Sequence, residues 1–377
     1  MRFRKLGRTG LDVGVIGLGT EYLNGQPREA VGSVIHEAIK HGINYADLLF
    51  TFPEYLDNLG VALQGQRERI ILTGHLGSTV KDGQYFKTRS VKRSETFFLE
   101  FLSRLGTEYV DVLFLHNFNT VKDYDRAMKP RGLIDLAHRL QREGKARFIG
   151  ISAHDIAVAS KAVESGQIDV LMFPINLAGN AMPGRRELLN RCVQQEVGVV
   201  AMKPFAGGKL LQTGTVRVAK YQTGGESFKA RVTPDITPVR CLSYVLAQVG
   251  VSTAIPGVKN TTELAAALET LEATDIEQDY GTIIAGFGKY VEGECVYCNH
   301  CLPCPVAIDI GQTHRLLDAA QQAISDALPT AYDALPVKAS ACTECGACTA
   351  RCPFGVDVVA KMRQAVQLFE TNLDRKL

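Results

Sequence analysis

Val110-Asp-Val-Leu-Phe-Leu-His116, then Gly132-Leu-Ile-Asp-Leu-Ala-His-Arg-Leu-Gln-Arg-Glu143, then Phe148-Ile-Gly-Ile-Ser152: these three stretches decide the fold. The outer two are short, continuous apolar runs, the pattern of a strand covered on both faces, and the middle one has the amphipathic period of a helix. Strand, helix and strand in that order make a parallel βαβ unit. The pattern extends in both directions. Further apolar runs lie at Val13 to Leu18, Ile43 to Asp47, Ile70 to His75, Asp169 to Phe173, Val199 to Lys203 and Ser252 to Pro256. Helical stretches fall between them at Glu29 to Lys40, Val91 to Leu105, Arg185 to Gln195, Pro238 to Gln248 and Thr262 to Leu271. Eight such alternations over roughly 260 residues predict an α/β fold, a closed (β/α)8 TIM barrel. An open doubly wound sheet is disfavoured, because no Gly-x-Gly-x-x-Gly follows an early strand. The connection Phe205 to Thr237 is too long for a simple βα turn and carries Ala206-Gly207-Gly208-Lys209. On the catalytic rim it reads as a cofactor or substrate lid, with a mobile surface loop as the alternative.

Ten cysteines are distributed unevenly: eight fall between Cys295 and Cys352, and only Cys192 and Cys241 precede them. The asymmetry sets an expected boundary, with the barrel over 1–290 and a smaller domain over 291–377. The first group runs Cys295-x-x-Cys298-x-x-Cys301-x-x-Cys304-Pro305 and the second Cys342-x-x-Cys345-x-x-Cys348-x-x-x-Cys352-Pro353. The second matches the bacterial ferredoxin run, in which three closely spaced thiolates wrap one cluster and the fourth, before Pro, reaches the other. Cys295, Cys298, Cys301 and Cys352 are therefore expected to hold one [4Fe–4S] cluster, and Cys342, Cys345, Cys348 and Cys304 a second. The first group is one residue short in its last gap. Zinc ribbons use pairs of thiols across a long spacer, and disulfide scaffolds belong to small secreted chains, so both alternatives fit less well. His300 lies in a cluster loop and is read as covering or tuning a cluster. Helical stretches at His314 to Leu328 and Val356 to Phe369 make this a mainly helical ferredoxin-like domain.

Composition narrows the function. With 46% hydrophobic and 22% charged residues, and 42 basic against 40 acidic side chains, the chain of 377 residues is an ordinary globular protein with no basic stripe for nucleic acid. The start lacks the apolar stretch of a signal peptide, and no apolar run reaches the ~18 residues of a membrane span, so a cytoplasmic protein is expected. In a (β/α)8 barrel catalytic groups lie just after the strands, and Asp47, His75, His116, Ser152 and Lys203 all occupy such positions, with His154 close behind.

These positions carry a resemblance. Arg4-Lys-Leu-Gly-Arg-Thr-Gly-Leu-Asp-Val13, Ile16-Gly-Leu-Gly-Thr20, Gly42-Ile-Asn-Tyr-Ala-Asp47, Tyr109 to His116, Phe148 to Ser152 and Ile255-Pro-Gly-Val258 resemble an aldo-keto reductase over residues 1 to about 275. Together with the cysteine tail, the chain resembles the branch of that family with a C-terminal ferredoxin domain. The resemblance implies carbonyl reduction with NAD(P)H by an Asp, a Tyr, a Lys and a His. Asp47 and His116 match the first and last. Phe52 stands where the family has its Tyr, and His75 where it has its Lys, so Tyr55 or Tyr22 is the candidate phenol. The expected cofactor-binding set is Ser152, Lys203, Gly207, Gly257 and Lys259. Ala153, Met172 and Met202 depart from the family's cofactor contacts, and Glu263 near the 2′-phosphate position disfavours NADP.

The leading expectation is an iron–sulfur oxidoreductase acting on a small organic substrate, with Asp47, His75, His116 and Tyr55 as catalytic residues. Two [4Fe–4S] clusters are expected to carry electrons between the barrel pocket and an electron-transfer protein. NAD(H) is a candidate cofactor, as is a flavin, for which the chain has no motif. The alternatives are a conventional NADH-linked carbonyl reductase with the ferredoxin domain as sensor or docking module, and a non-catalytic electron-transfer subunit. Anaerobically purified protein is expected to contain about eight iron and about eight sulfide per chain; zinc alone would contradict the cluster reading.

Overall fold

The computed structural model describes residues 1–180, 182–218, 228–286, 295, 301–320, 327–352 and 355–371. It divides into two compact units, Met1–Gln278 and Asp279–Leu377. The boundary expected at 290/291 lies outside the described residues, as do Cys298 and His300.

In the first unit eight parallel strands stand side by side in chain order: Leu18–Gly19, Tyr45–Asp47, Ile71–Leu76, Val110–Phe118, Ala146–Ala153, Val170–Pro174, Gly198–Met202 and Val251–Ile255. Parallel bridges from Ile16 to Ala254 and from Gly19 to Gly257 join the last strand to the first, so the barrel is closed. Closure removes the sheet edges that would leave backbone groups unpaired. Outside lie the helices Arg28–Lys40, Pro53–Leu63, Val91–Leu105, Leu133–Arg142, Ile156–Glu164, Arg185–Gln194, Pro238–Ala247 and Thr261–Leu268. Several start on the side chains that favour it: Ser90 accepts from the Arg93 amide, Asp155 from Ala157 and Val158, Thr237 from Arg240, and Asn260 from Glu263.

The run Val13 to Leu18 is not one barrel strand. Asp12–Gly14 pairs antiparallel with Phe3–Lys5, and only Leu18–Gly19 enters the barrel sheet. The hairpin closes the floor. Leu6 and Val13 are fully buried in a cluster with Tyr45, Val112, Phe114, Val170 and Val200, and the Arg4 guanidinium donates to the carbonyls of Leu246 and Val251. Val13 is thus apolar because it fills the bottom of the barrel. The long connection after Met202 contains an antiparallel hairpin, Gly214–Val218 with Phe228–Val232, and its tip lies outside the described residues.

In the second unit the described residues form helices Ile310–Ala320, Ala327–Asp333, Ala347–Arg351 and Val358–Ala365, with no strand among them. The expected helix from His314 begins four residues earlier, where Asp309 accepts from the Gln312 amide, and Ala327–Asp333 is separate from it. The last helix starts at Val358 because Asp357 accepts from the Ala360 amide. Tyr332 stacks on Phe369 at 4.3 Å, and Lys361 pairs with the buried Asp318 at 2.6 Å. Among the described residues no helix is long and apolar enough to cross a membrane.

Barrel packing leaves little slack. A Cβ on Gly150 would stand 2.5 Å from the ring of buried Phe114 and 2.9 Å from the Val170 carbonyl oxygen. Gly150→Ala is therefore expected to cost about 1–3 kcal/mol of stability, read as a lower urea midpoint. A midpoint equal to that of the parent would show that the barrel yields at this position.

Candidate active site

The ends of three barrel strands, and a hairpin that follows one of them, bring four groups into one hydrogen-bonded chain. Asp47 ends the second barrel strand, His75 lies near the end of the third and His116 near the end of the fourth. His75 Nε2 is 2.8 Å from Asp47 Oδ1, and the Thr73 hydroxyl donates to the same oxygen at 2.6 Å. His116 Nδ1 is 3.2 Å from His75 Nδ1, and the Tyr85 hydroxyl is 2.5 Å from His116 Nε2. Asp47, His75 and His116 are buried, and all four residues line one cavity of about 870 Å³.

Because a carboxylate only accepts, His75 Nε2 must donate. Two proton arrangements then satisfy the chain. With both rings neutral, His116 Nδ1–H donates to His75 Nδ1, and the Tyr85 hydroxyl donates to His116 Nε2. With a second proton on His75, its Nδ1–H donates to His116 Nδ1, His116 Nε2–H donates to the Tyr85 oxygen, and the Tyr85 proton is free to face the cavity. In both arrangements His116 carries one proton. Burial, followed by the charges of His75 and Arg89, pushes its imidazole well below the usual histidine range. Burial also raises the Tyr85 phenol above its ordinary value.

Tyr85 is the residue that sequence reading missed. It sits on a hairpin, Ser78–Lys81 with Gln84–Lys87, that follows the third barrel strand. Asp82 and Gly83 both have positive φ, +52° and +74°, the geometry of a tight two-residue turn for which Asp-Gly is favoured. That dipeptide between two short runs was the available signal. The hairpin is pinned at its base. The Ser78 hydroxyl donates to the Leu49 carbonyl at 2.7 Å, the Thr88 amide to Gly77 at 2.9 Å, and Arg93 to the Val80 carbonyl at 2.5 Å. The Tyr85 ring meets Phe50 edge to face at 5.7 Å. Arg89, paired with Asp123 at 2.7 Å, donates to the backbone carbonyls of His116 and Asn117, which holds the end of the fourth strand.

Tyr55 does not take the part expected of it. It is 2% exposed on the inner face of Pro53–Leu63, does not line the cavity, and its hydroxyl bonds Thr20, which in turn donates to the Asp47 backbone carbonyl at 2.6 Å. Burial raises its phenol far above the ordinary range. Tyr22 does line the cavity, with its ring against Gly257, where a Cβ would stand 2.6 Å from it.

The remaining expected residues lie in the same cavity wall. Ser152 Oγ accepts from the Asn117 amide at 2.8 Å. Lys203 Nζ is 3.2 Å from His154 Nε2, and burial moves the Lys203 ammonium below its usual range while Glu21 and Asp47 oppose the shift. His154 is pushed well below the histidine range by burial and then by Lys203. Gly207, Gly257, Lys259 and Glu263 line the same cavity. Glu263 Oε2 accepts from the Lys259 amide at 2.8 Å and Asn260 Oδ1 from the Glu263 amide at 2.9 Å, and the second of these caps the start of Thr261–Leu268.

In the second unit Cys304, Cys342, Cys345 and Cys348 line one small cavity with Ile308, Ile310, Val359 and Met362. Four thiols in an apolar shell are the donor chemistry of an iron–sulfur cluster. Arg351 donates to the carbonyls of Cys301 and Pro303, tying the two cysteine groups together.

A closed (β/α)8 barrel with Asp and two His at adjacent strand ends is followed in the chain by a unit in which four thiols line one cavity. The Aldo/keto reductase family model matches residues 13–285, so the chain belongs to the aldo-keto reductase family, and a 4Fe-4S dicluster domain model matches residues 293–356. The chain is 27% identical to an uncharacterized oxidoreductase, YqkF, of Bacillus subtilis over 74% of this chain and 94% of that one. It is 26% identical to L-galactose dehydrogenase of Arabidopsis thaliana over 74% and 92%. It is 27% identical to NADH-specific methylglyoxal reductase of Escherichia coli over 58% and 71%. The aldo-keto reductase AKR11C1 from Bacillus halodurans has the same fold, with a TM-score of 0.61 at 24% identity over 75% of this chain and 96% of that one.

The two depressed histidines set a pH dependence. Burial holds His116 and His154 well below the usual histidine range in the fold, whereas in the unfolded chain they bind a proton below about pH 6.5. The unfolded state therefore holds more protons in that window, and the stability present above about pH 6.5 is lost as pH falls below it. His116→Gln with His154→Gln is expected to flatten the change in urea midpoint between pH 7 and pH 5. An unchanged slope would mean that these rings are protonated in the fold.

Proposed function

We propose that this oxidoreductase interconverts a small carbonyl compound and its alcohol in the barrel cavity, and that two [4Fe–4S] clusters in the second unit carry electrons between that reaction and a protein partner. The observation that carries the reading is the unbroken chain Asp47–His75–His116–Tyr85 in the cavity wall. The conversion takes two electrons and two protons: Tyr85 handles the proton at oxygen, and water admitted to the cavity supplies the proton at carbon on reduction and takes it up on oxidation. With His75 doubly protonated against Asp47, Tyr85 gives its hydroxyl proton to the carbonyl oxygen. It regains one from His116 Nε2, while His116 Nδ1 takes one from His75. His75 is left neutral, and the chain has moved one proton to the substrate. Oxidation runs the same shuttle backward. The His75–Asp47 pair thus replaces the lysine that the family sets beside its tyrosine.

The cysteines fit the clusters in kind: Cys304, Cys342, Cys345 and Cys348 would hold one, and Cys295, Cys298, Cys301 and Cys352 the other. Each cluster moves one electron, so the pair holds the complement for one conversion. A second reading, with NADH as the direct reductant and the clusters as a sensor, is supported by the reach of the cavity. It continues from the relay past Ser152 and Lys203 to Gly257, Lys259 and Glu263. NADH bound there would supply a hydride. Ser152, Gly207 and Lys259 are the residues that would hold it, and the Glu263 carboxylate favours NAD over NADP.

Tyr85→Phe is expected to lower kcat by at least ~100-fold, whereas Tyr55→Phe changes it by less than about threefold. Methylglyoxal and L-galactose, named for the relatives, are the first probes. Equal losses in the two variants would overturn the assignment of Tyr85. Under anaerobic conditions, prereduced protein without NADH should turn over the probe as the cluster absorbance returns. Turnover with NADH alone, the clusters unchanged throughout, would select the second reading.

A further inference from the structure

The fourth barrel strand, Val110–Phe118, holds one residue more near its end than the strand beside it. Leu115 pairs with Ile151 and Phe118 with Ala153, so His116 and Asn117 together stand opposite Ser152. This is a β-bulge. In a regular strand neighbouring side chains alternate between faces, and here the bulge brings two successive residues, His116 and Asn117, to the cavity wall. Asn117 adopts a left-handed backbone, φ +54°, which asparagine tolerates better than most residues. Its backbone and one end of its side chain are fastened. The Asn117 amide donates to Ser152 Oγ at 2.8 Å, its carbonyl accepts from Arg89 at 2.9 Å, and Asn119 Nδ2 donates to its Oδ1 at 2.8 Å.

With Oδ1 engaged, the amide end of the carboxamide is directed at the relay. Burial makes ionisation of the Tyr85 phenol costly, and a bond from the Asn117 side chain acts in the opposite sense. Only a donor favours a phenolate, so the bonding atom is Nδ2. A phenol oxygen accepts as well as donates, and the bond from Asn117 therefore suits both proton arrangements of the chain. The charged and titratable groups around the phenol are divided. Arg89, at the exit of the hairpin, favours the phenolate, Glu21, after the first barrel strand, opposes it, and His116 faces the hydroxyl from the fourth strand at 2.5 Å. We propose that Asn117 is a positioning residue for the transfer at oxygen, supplying through Nδ2 a fixed donor that holds the phenolate left when the Tyr85 proton passes to the substrate oxygen. The assignment rests on the reading of Tyr85 above and adds a residue to that site. The bulge is what sets the acid's partner and its donor side by side in the sequence.

The test is fluorine NMR of anaerobically purified, cluster-loaded protein labelled with 3,5-difluorotyrosine, whose phenol ionises nearer neutrality than that of tyrosine. The chain has 12 tyrosines, and the Tyr85 signal is the one lost in Tyr85→Phe. Glycine suits a left-handed backbone, so Asn117→Gly keeps the bulge and removes the carboxamide. It should weaken the Tyr85 acid about tenfold or more. Asn117→Asp has nearly the same shape, offers no donor once ionised and sets a negative charge at the phenol, so it should weaken the acid further. Circular dichroism checks the fold of each variant. A Tyr85 signal that titrates in Asn117→Gly as it does in the parent would overturn the proposal. So would one that titrates at lower pH in Asn117→Asp than in the parent. The titration needs neither substrate nor turnover, so a failure of the carbonyl reading remains distinguishable from a failure here.

Discussion

The contact between the Asp47 carboxylate and His75 Nε2, 2.8 Å, orders the rest of the site. A carboxylate has no proton to give, so the direction of this one bond restricts every hydrogen bond beyond it. His75 Nδ1 faces His116, His116 Nε2 faces Tyr85, and one added proton reverses both contacts together. The barrel supplies the rigidity that this needs. Asp47, His75 and His116 come from three neighbouring strands whose registers are set by parallel pairing. The imidazole of His75 stacks on Phe114 at 5.2 Å and meets His116 edge on at 5.1 Å.

The fold was legible because a closed parallel barrel writes itself into a chain as repeated apolar runs. The exception, Val13 to Leu18, is instructive. Burial of Val13 in the barrel floor produces the same apolar signature as a strand, and period alone does not separate the two. The cysteine spacing was legible for a chemical reason: cluster geometry constrains ligands that lie close together in sequence.

The site was legible only in part. Asp47, His75 and His116 lie at or near the ends of strands, so strand reading locates them. Tyr85 reaches His116 across a hairpin, and the contact spans 31 residues. Such a contact depends on how the hairpin folds back, which no periodicity encodes. Tyr55 had the better position in sequence, three residues from where the family keeps its tyrosine. Its place on the inner face of Pro53–Leu63 instead turns the hydroxyl toward Thr20. A phenol from a different loop therefore stands in the cavity wall where Phe52 offers none, and His75 lies against Asp47 where the family has a lysine.

Nitrogen NMR of histidine-labelled protein, followed across pH, separates four groups that act as one proton chain from four that act singly. In one chain the single proton of His116 moves from Nδ1 to Nε2 when a second proton enters the His75 ring, and His116 stays neutral well below the usual histidine range. A His116 ring that keeps one tautomer at every pH, or that takes up its own second proton within the usual histidine range, means that the groups act singly.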